Sequence, residues 1–118
     1  PQLPDMQGRA LLLRTANSLS RLCCTPEYRT THAHLTAAGA RALVNRNISL
    51  VGIDYCTIES SETALFPVHN ILLAHGILIL ERLDLLHAPA GWHTLHCAPI
   101  AVPPDVEAGF VRAYLMPA

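Results

Sequence analysis

The sequence has few charged and few aromatic residues, and both shortages argue against a nucleic-acid partner. Of its 118 residues, 14% are charged and 5% are aromatic, and the formal net charge is -1. A nucleic-acid surface needs basic residues to hold phosphates and aromatic rings on which bases stack. The sequence therefore predicts no nucleic-acid partner.

A long apolar run is also missing. The densest apolar stretch without formal charge covers residues 71–80 and is interrupted by His75 and Gly76, whereas a helix needs about 20 apolar residues to span a bilayer. We therefore expect no membrane partner. No basic segment followed by an apolar one comes after Pro1, so the start resembles a truncation or processing point, and a signal upstream of it would be invisible. The expectation of a cytoplasmic protein comes instead from the cysteines, which suggest a reducing compartment.

Paired cysteine motifs are absent as well. The sequence has four cysteines, at Cys23, Cys24, Cys56 and Cys97. None belongs to a CxxC pair, and the adjacent Cys23 and Cys24 suit neither a zinc knuckle nor an easily formed local disulfide. We interpret all four as reduced thiols, each most simply a small buried apolar side chain.

What the sequence does have is enough apolar surface for one core, since 51% of its residues are hydrophobic. Hydrophobic patterning and turn residues predict a mixed α/β fold with its strands in one sheet. Strands are predicted at residues 10–15, 48–54, 77–80, 92–102 and 110–115. Helices are predicted at residues 37–44, after an N-cap at Thr36, and at residues 67–75, with Pro67 in the first turn. Residues 17–31 and 57–63 are predicted to be loops.

Two side chains in this pattern could share a metal ion, His69 at the start of a helix and Glu81 at the end of a strand. On a strand, Glu81 shares a face with Ile77 and Ile79, so its carboxylate enters a partly buried region and needs a partner. The residues alone leave other interpretations open. Glu81 can equally be a solvated strand end beside Arg82, and a histidine in the position of His69 is more often a core residue than a ligand.

An ordered series of motifs extends this picture. The first three motifs are Leu-Leu-Leu-Arg-Thr at 11–15, Leu-Thr-Ala-Ala-Gly-Ala at 35–40 and Val-Gly-Ile-Asp at 51–54. They are followed by His69 with Leu72 and Leu73, by the segment from Gly76 and Ile77 through Glu81, by Ala98-Pro99, and by Val-Arg-Ala at 111–113. In this order the motifs resemble the cyclase family, whose best-known members are the bacterial-type kynurenine formamidases. The resemblance covers the chain from about Leu11 to its end.

The resemblance implies a swivelling β/β/α domain, often dimeric, that hydrolyses a formamide or a related amide, lactone or cyclic bond with one or two divalent ions. It implies that His69 and Glu81 are metal ligands, and imidazole with carboxylate suits Zn2+ or, alternatively, Mn2+. The family's other ligands lie in a His-x-Gly-Thr-His-x-Asp-x-Pro motif that no segment of this sequence matches. We therefore interpret residues 1–118 as the C-terminal part of a single cyclase-family domain, incomplete at its N-terminus.

The function implied is hydrolysis of N-formylkynurenine to kynurenine and formate in tryptophan catabolism, by a homo-oligomeric enzyme acting on a small molecule. This chain alone is expected to be inactive, because it carries only part of the site. One alternative is a cyclase-family hydrolase of another amide, lactone or cyclic substrate. The other is a non-catalytic α/β binding module.

Other candidate ligands are weaker. His32 and His34 lack the glycine, the aspartate and the spacing of the family motif. His93, His96 and Cys97 lie on a predicted strand whose alternating faces separate neighbouring side chains. His75 lies well round the helix from His69. Asp54 can either border the site or cap a neighbouring element.

Overall fold

The computed structural model describes residues 5–118 and divides the chain into two compact units. The first unit ends at His87, and the second runs from Ala88 to Ala118. The interpretation of residues 1–118 as part of a single domain stays a prediction. Within residues 5–118, no helix is both long enough and apolar enough to cross a membrane.

A three-stranded parallel sheet organises the first unit. Its strands are β1 (Ala10–Leu13), β2 (Leu50–Ile53) and β3 (Leu78–Leu80), in the spatial order β1-β2-β3. Parallel neighbours require a crossover connection, and here each crossover contains one of the predicted helices. The mixed α/β fold is confirmed.

Those helices are α2 (Ala37–Val44) and α3 (Pro67–Ala74). The hydroxyl oxygen of Thr36 accepts a hydrogen bond from the Gly39 amide, which confirms the predicted N-cap. Pro67 begins α3, and Gly76 follows its end at φ +70°. A glycine takes this left-handed conformation without the steric cost of a Cβ atom.

The helices pack on the sheet and bury one apolar core. Its members are Met6, Ala40, Leu43, Ile48, Val51, Ile53, Ile58, Val68, Leu72 and Ile77. Gly52 lies where the sheet is crowded, because a Cβ atom there would approach side-chain atoms of Leu12 and Leu83 to 2.6 and 2.7 Å. The core therefore fixes the first residues of α3 and the end of β3, where the two candidate ligands lie.

The predicted loop at residues 17–31 is wrong in its first half. Helix α1 (Ala16–Leu19) and a 3₁₀ turn (Leu22–Cys24) occupy that stretch. The helix is too short to show hydrophobic periodicity, and it is stabilised by an aspartate that lies 36 residues away from Ser18 in sequence. A local pattern could not reveal that partner.

The second unit is an antiparallel hairpin of β4 (His93–Pro99) and β5 (Val111–Pro117), paired from His93 with Pro117 to Pro99 with Val111. Both strands were predicted, with ends shifted by a few residues. The prediction of one sheet is wrong for the described residues, since β4 and β5 pair with each other in a second sheet. Antiparallel strands need no crossover element, so adjacent strands can pair directly.

Candidate metal centre

His69 lies on the first turn of α3, between two carboxylates. Its Nδ1 atom is 3.1 Å from Glu59 Oε2, and its Nε2 atom is 3.2 Å from Glu81 Oε1. The Glu59 side chain is almost completely buried, whereas those of His69 and Glu81 are about three-quarters buried. The fold thus brings together the two residues singled out in the sequence and adds a third.

The third residue, Glu59, was missed because residues 57–63 were interpreted only as a polar loop. Its carboxylate accepts hydrogen bonds from the backbone amides of Val68 and His69, at 3.0 and 3.2 Å from Oε2. Phe66, the residue before α3, supplies no side-chain cap. Glu59 therefore satisfies the free amides at the start of α3, where a negative charge is also favoured by the helix dipole.

A signal for Glu59 does exist in the sequence, although it is weak. Helix α3 starts at a proline and has no serine, threonine, aspartate or asparagine just before it. Its free amides must find an acceptor elsewhere. An acid in the preceding loop is a reasonable candidate, but nothing local distinguishes Glu59 from Glu62.

Glu81 directly follows β3, and a backbone contact fixes its carboxylate. Its Oε1 atom accepts a hydrogen bond from the Ile58 amide at 2.7 Å. The guanidinium of neighbouring Arg82 donates instead to the carbonyls of Cys23 and Thr25. Glu81 is therefore a positioned carboxylate that faces an imidazole.

The pair of His69 and Glu81 fits a divalent cation. Two ligands of tetrahedral zinc at about 2.0–2.1 Å lie about 3.3 Å apart, and the observed Nε2 to Oε1 separation is 3.2 Å. Glu59 faces the opposite ring nitrogen, so it cannot join them on one ion. In many metal sites, a carboxylate accepts a hydrogen bond from the ring N–H that does not bind the metal, and this bond fixes the orientation of the histidine ring. Glu59 lies in the position of such a carboxylate.

Asp54 lies outside this group and caps α1. Its buried carboxylate accepts hydrogen bonds from the backbone amides and the hydroxyls of both Thr15 and Ser18, and a longer one from the Asn17 side chain at 3.4 Å. Burial acts to raise the pKa of this carboxyl, but the hydrogen bonds from Ser18 and Thr15 outweigh it and hold the pKa below the ordinary value. Of the two roles considered for Asp54, the structure supports the cap.

The other histidines of the weaker candidates are engaged elsewhere. The His32 ring nitrogens each lie 2.9 Å from a backbone carbonyl, of Arg29 and of Glu59. The His75 ring faces the Ile71 carbonyl. On β4, His93 faces the Pro89 carbonyl and His96 stacks on Tyr114.

All four cysteines are free thiols, as expected. Cys23 is buried, whereas Cys24 and Cys97 are exposed and so depart from the interpretation of buried apolar residues. Within residues 5–118, Cys23, Cys24 and Asp84 are the one group of three or more potential ligand side chains close enough to hold a single ion. Sequence spacing did not suggest this group, because Asp84 is 60 residues from Cys24.

Comparisons with known proteins give relatives along most of the chain. Cyclase-like protein 2 from Oryza sativa subsp. japonica is 36% identical over 110 residues, which are 92% of this chain and 40% of the relative. A kynurenine formamidase from Bacillus cereus is 32% identical over 107 residues, 91% of this chain and 49% of the relative. No model of a known protein family matches.

Solved structures agree with these relatives. A potential metal-dependent hydrolase with cyclase activity superposes with a TM-score of 0.83 at 27% identity, over 96% of this chain and 53% of that one. A predicted metal-dependent hydrolase from Bacillus stearothermophilus gives a TM-score of 0.80 at 27% identity, over 93% and 50%. The chain spans about half the length of these structures, and between a third and a half of the curated relatives. In sequence and in fold, the chain belongs to the cyclase family.

Proposed function

We propose that this chain supplies two metal ligands, His69 and Glu81, to a metal-dependent hydrolase that converts N-formylkynurenine to kynurenine and formate. The observation that carries the proposal is the 3.2 Å separation of His69 Nε2 and Glu81 Oε1 at the junction of α3 and β3. The kynurenine formamidases among the relatives, at 32–33% identity, support this substrate.

Each of the three side chains has a distinct task. Glu81 presents an oxygen that the Ile58 amide holds in place. His69 presents Nε2. The Glu59 carboxylate accepts a hydrogen bond from Nδ1–H and so keeps the ring in the tautomer that leaves Nε2 free to bind a cation. A bound divalent ion would lower the pKa of its water towards about 7 and polarise the formyl carbonyl.

Two protein ligands make only part of a working centre, so the remaining ligands must come from residues outside this chain's described part. The solved relatives are about twice as long, which leaves ample sequence for them. We propose Zn2+ as the ion, with Mn2+ as the alternative, because both accept imidazole together with carboxylate. We further propose a homo-oligomeric cytoplasmic enzyme of tryptophan catabolism, with a small-molecule substrate and neither nucleic acid nor membrane as a partner.

A second candidate is hydrolysis of another amide, lactone or cyclic substrate at the same centre. Cyclase-like proteins from plants are as similar to the chain as the formamidases, at 33–36% identity, and this observation favours it. A substrate panel on the complete protein separates the two candidates. Formamide hydrolysis at a rate well above that for lactones and other amides supports the first candidate.

The test of the centre compares four substitutions in the complete protein. His69→Ala and Glu81→Ala each remove one ligand, so metal content and turnover should fall together, by about tenfold or more. His93→Ala and His96→Ala are the matched controls, because these two side chains lie on opposite faces of β4 and do not converge on one ion, and they should change neither quantity. Metal analysis and turnover are measured on variants with native circular dichroism. Loss of metal in the controls, with metal retained in the His69 and Glu81 variants, contradicts the assignment.

A further inference from the structure

A second cluster of ligand side chains lies at the 3₁₀ turn (Leu22–Cys24). The Cys23 and Cys24 sulfurs are 3.3 Å apart, and Cys24 Sγ is 3.7 Å from Asp84 Oδ2. One ligand atom from each of the three residues fits within 4.8 Å of the other two. Cys23 is buried, while Cys24 and Asp84 are exposed, so the cluster is open to solvent on one side.

These separations are close to those of a tetrahedral metal site. With bonds of about 2.3 Å to sulfur and about 2.0 Å to oxygen, the sulfur–sulfur edge is about 3.8 Å and the sulfur–oxygen edge about 3.5 Å. The observed edges of 3.3 and 3.7 Å differ from these values by about 0.5 and 0.2 Å, and the third edge, from Cys23 Sγ to an Asp84 carboxylate oxygen, is within 4.8 Å. The exposed side leaves the fourth position to water.

We propose that Cys23, Cys24 and Asp84 form a binding site for a thiophilic divalent cation of the Zn2+ class, separate from the His69 and Glu81 pair. Two thiolates and a carboxylate suit such a cation, because sulfur ligands select soft or borderline metals. Cation binding must displace the thiol protons.

Arg21 is the internal competitor for this site. Its Nη1 atom lies 3.3 Å from both carboxylate oxygens of Asp84, and its Nη2 atom lies 3.3 Å from Cys24 Sγ. The guanidinium thus holds two of the three ligands and places a positive charge beside the position of the cation. Because like charges repel, Arg21 weakens cation binding, and its removal should strengthen it.

The experiment titrates the complete protein with Cd2+ and follows the ultraviolet charge-transfer absorption of cadmium–thiolate bonds. Nitrogen and oxygen ligands give no such band, so the signal is independent of His69 and Glu81 and survives a failure of the proposed function. Cys23→Ser and Cys24→Ser should each weaken binding about tenfold or more and reduce the band. Arg21→Gln should strengthen binding severalfold.

Cys97→Ser is the matched control, since Cys97 is an exposed thiol on β4, and it should leave the titration unchanged. If buried Cys23→Ser fails to fold, the exposed Cys24→Ser still decides. An unchanged band in Cys24→Ser, or an equal loss in Cys97→Ser, overturns the proposal. Weaker rather than stronger binding in Arg21→Gln overturns the competitor role of Arg21.

Discussion

At the scale of single residues, Glu59 links several parts of the candidate centre through hydrogen bonds. Its carboxylate joins the start of α3 to the His69 ring, and its backbone carbonyl lies 2.9 Å from His32 Nε2. A buried carboxylate that is fully hydrogen-bonded is costly to disturb, because its partners would be left unsatisfied. Glu59 therefore both caps a helix and orients a ligand.

The prediction for this residue separates its two roles. Glu59→Gln retains an acceptor for the helix amides but weakens the contact with His69 Nδ1. We expect metal affinity in the complete protein to fall about 10- to 100-fold, with stability lowered by only about 1 kcal/mol. Calorimetric metal titration and chemical denaturation measure the two effects.

The control for Glu59→Gln is Glu62→Gln, which changes an exposed acid in the same loop. Metal affinity and stability should both stay at the level of the unsubstituted protein. Native metal affinity in the Glu59→Gln variant would show that the carboxylate does not position His69.

At the scale of secondary-structure elements, helix α1 depends on a side chain that follows strand β2. Asp54, just after β2, receives the amide and hydroxyl hydrogen bonds of Thr15 and Ser18 and so ties the short helix to the sheet. A four-residue helix has little stability of its own. Its existence therefore rests on this carboxylate.

Asp54→Asn should lower the free energy of unfolding by about 3 kcal/mol, because an amide NH2 group would face N–H and O–H donors that now meet an oxygen. The pKa of Asp54 is below its ordinary value of 3.8 in the folded chain. Its contribution to stability is therefore complete above the unfolded-state pKa and is lost as the pH falls through the folded-state pKa.

Denaturation at a series of pH values measures both effects. As the pH is lowered from 7 to below about 4, the difference in free energy of unfolding between the unsubstituted protein and Asp54→Asn should decrease. Asp105→Asn, at an exposed position on the hairpin loop, is the control and should cost less than about 0.5 kcal/mol. A difference that stays constant with pH would contradict the assignment of the acid-sensitive contribution to Asp54.

At the scale of the whole molecule, much apolar surface is uncovered. Large apolar side chains are more than half exposed at Leu65, Phe66, Leu73, Leu78, Trp92, Ile100 and Phe110. β3 is also an edge strand of its sheet. Exposed apolar surface and open strand edges both promote association.

We therefore predict that the isolated 118-residue chain associates or is poorly soluble. Size-exclusion chromatography with light scattering over a range of concentrations measures this directly. The complete protein is the matched control and should give one discrete species. A monodisperse, cooperatively unfolding monomer of the isolated chain would contradict the prediction.

The isolated chain should also bind metal weakly at His69 and Glu81 and show no measurable hydrolysis, because two protein ligands are about half of a working zinc centre. Turnover of N-formylkynurenine is measured beside the complete protein at equal concentration. Turnover by the isolated chain that disappears on chelation would reveal ligands beyond these two.

The elements that depend on a local pattern could be predicted from the amino-acid sequence. The α2 and α3 helices follow from the Thr36 cap, Pro67 and Gly76, and β2 follows from β-branched residues such as Val51 and Ile53. His69 and Glu81 were identified through an ordered series of motifs. The helices and β2 are readable because each depends on residues within a few positions of one another, whereas His69 and Glu81 rest on the resemblance of the whole series to the cyclase family.

The contacts between residues far apart in sequence became visible in the folded chain. The fold places the Glu59 carboxylate beside the His69 ring and the Asp54 carboxylate at the start of α1. It also places Asp84 close to Cys23 and Cys24. It pairs β4 with β5 in a sheet of their own. The physical reason is the same in each case. A carboxylate or a strand takes the partner that packing brings close, within about 3 Å for a hydrogen bond, and the residues around it do not state which partner that is.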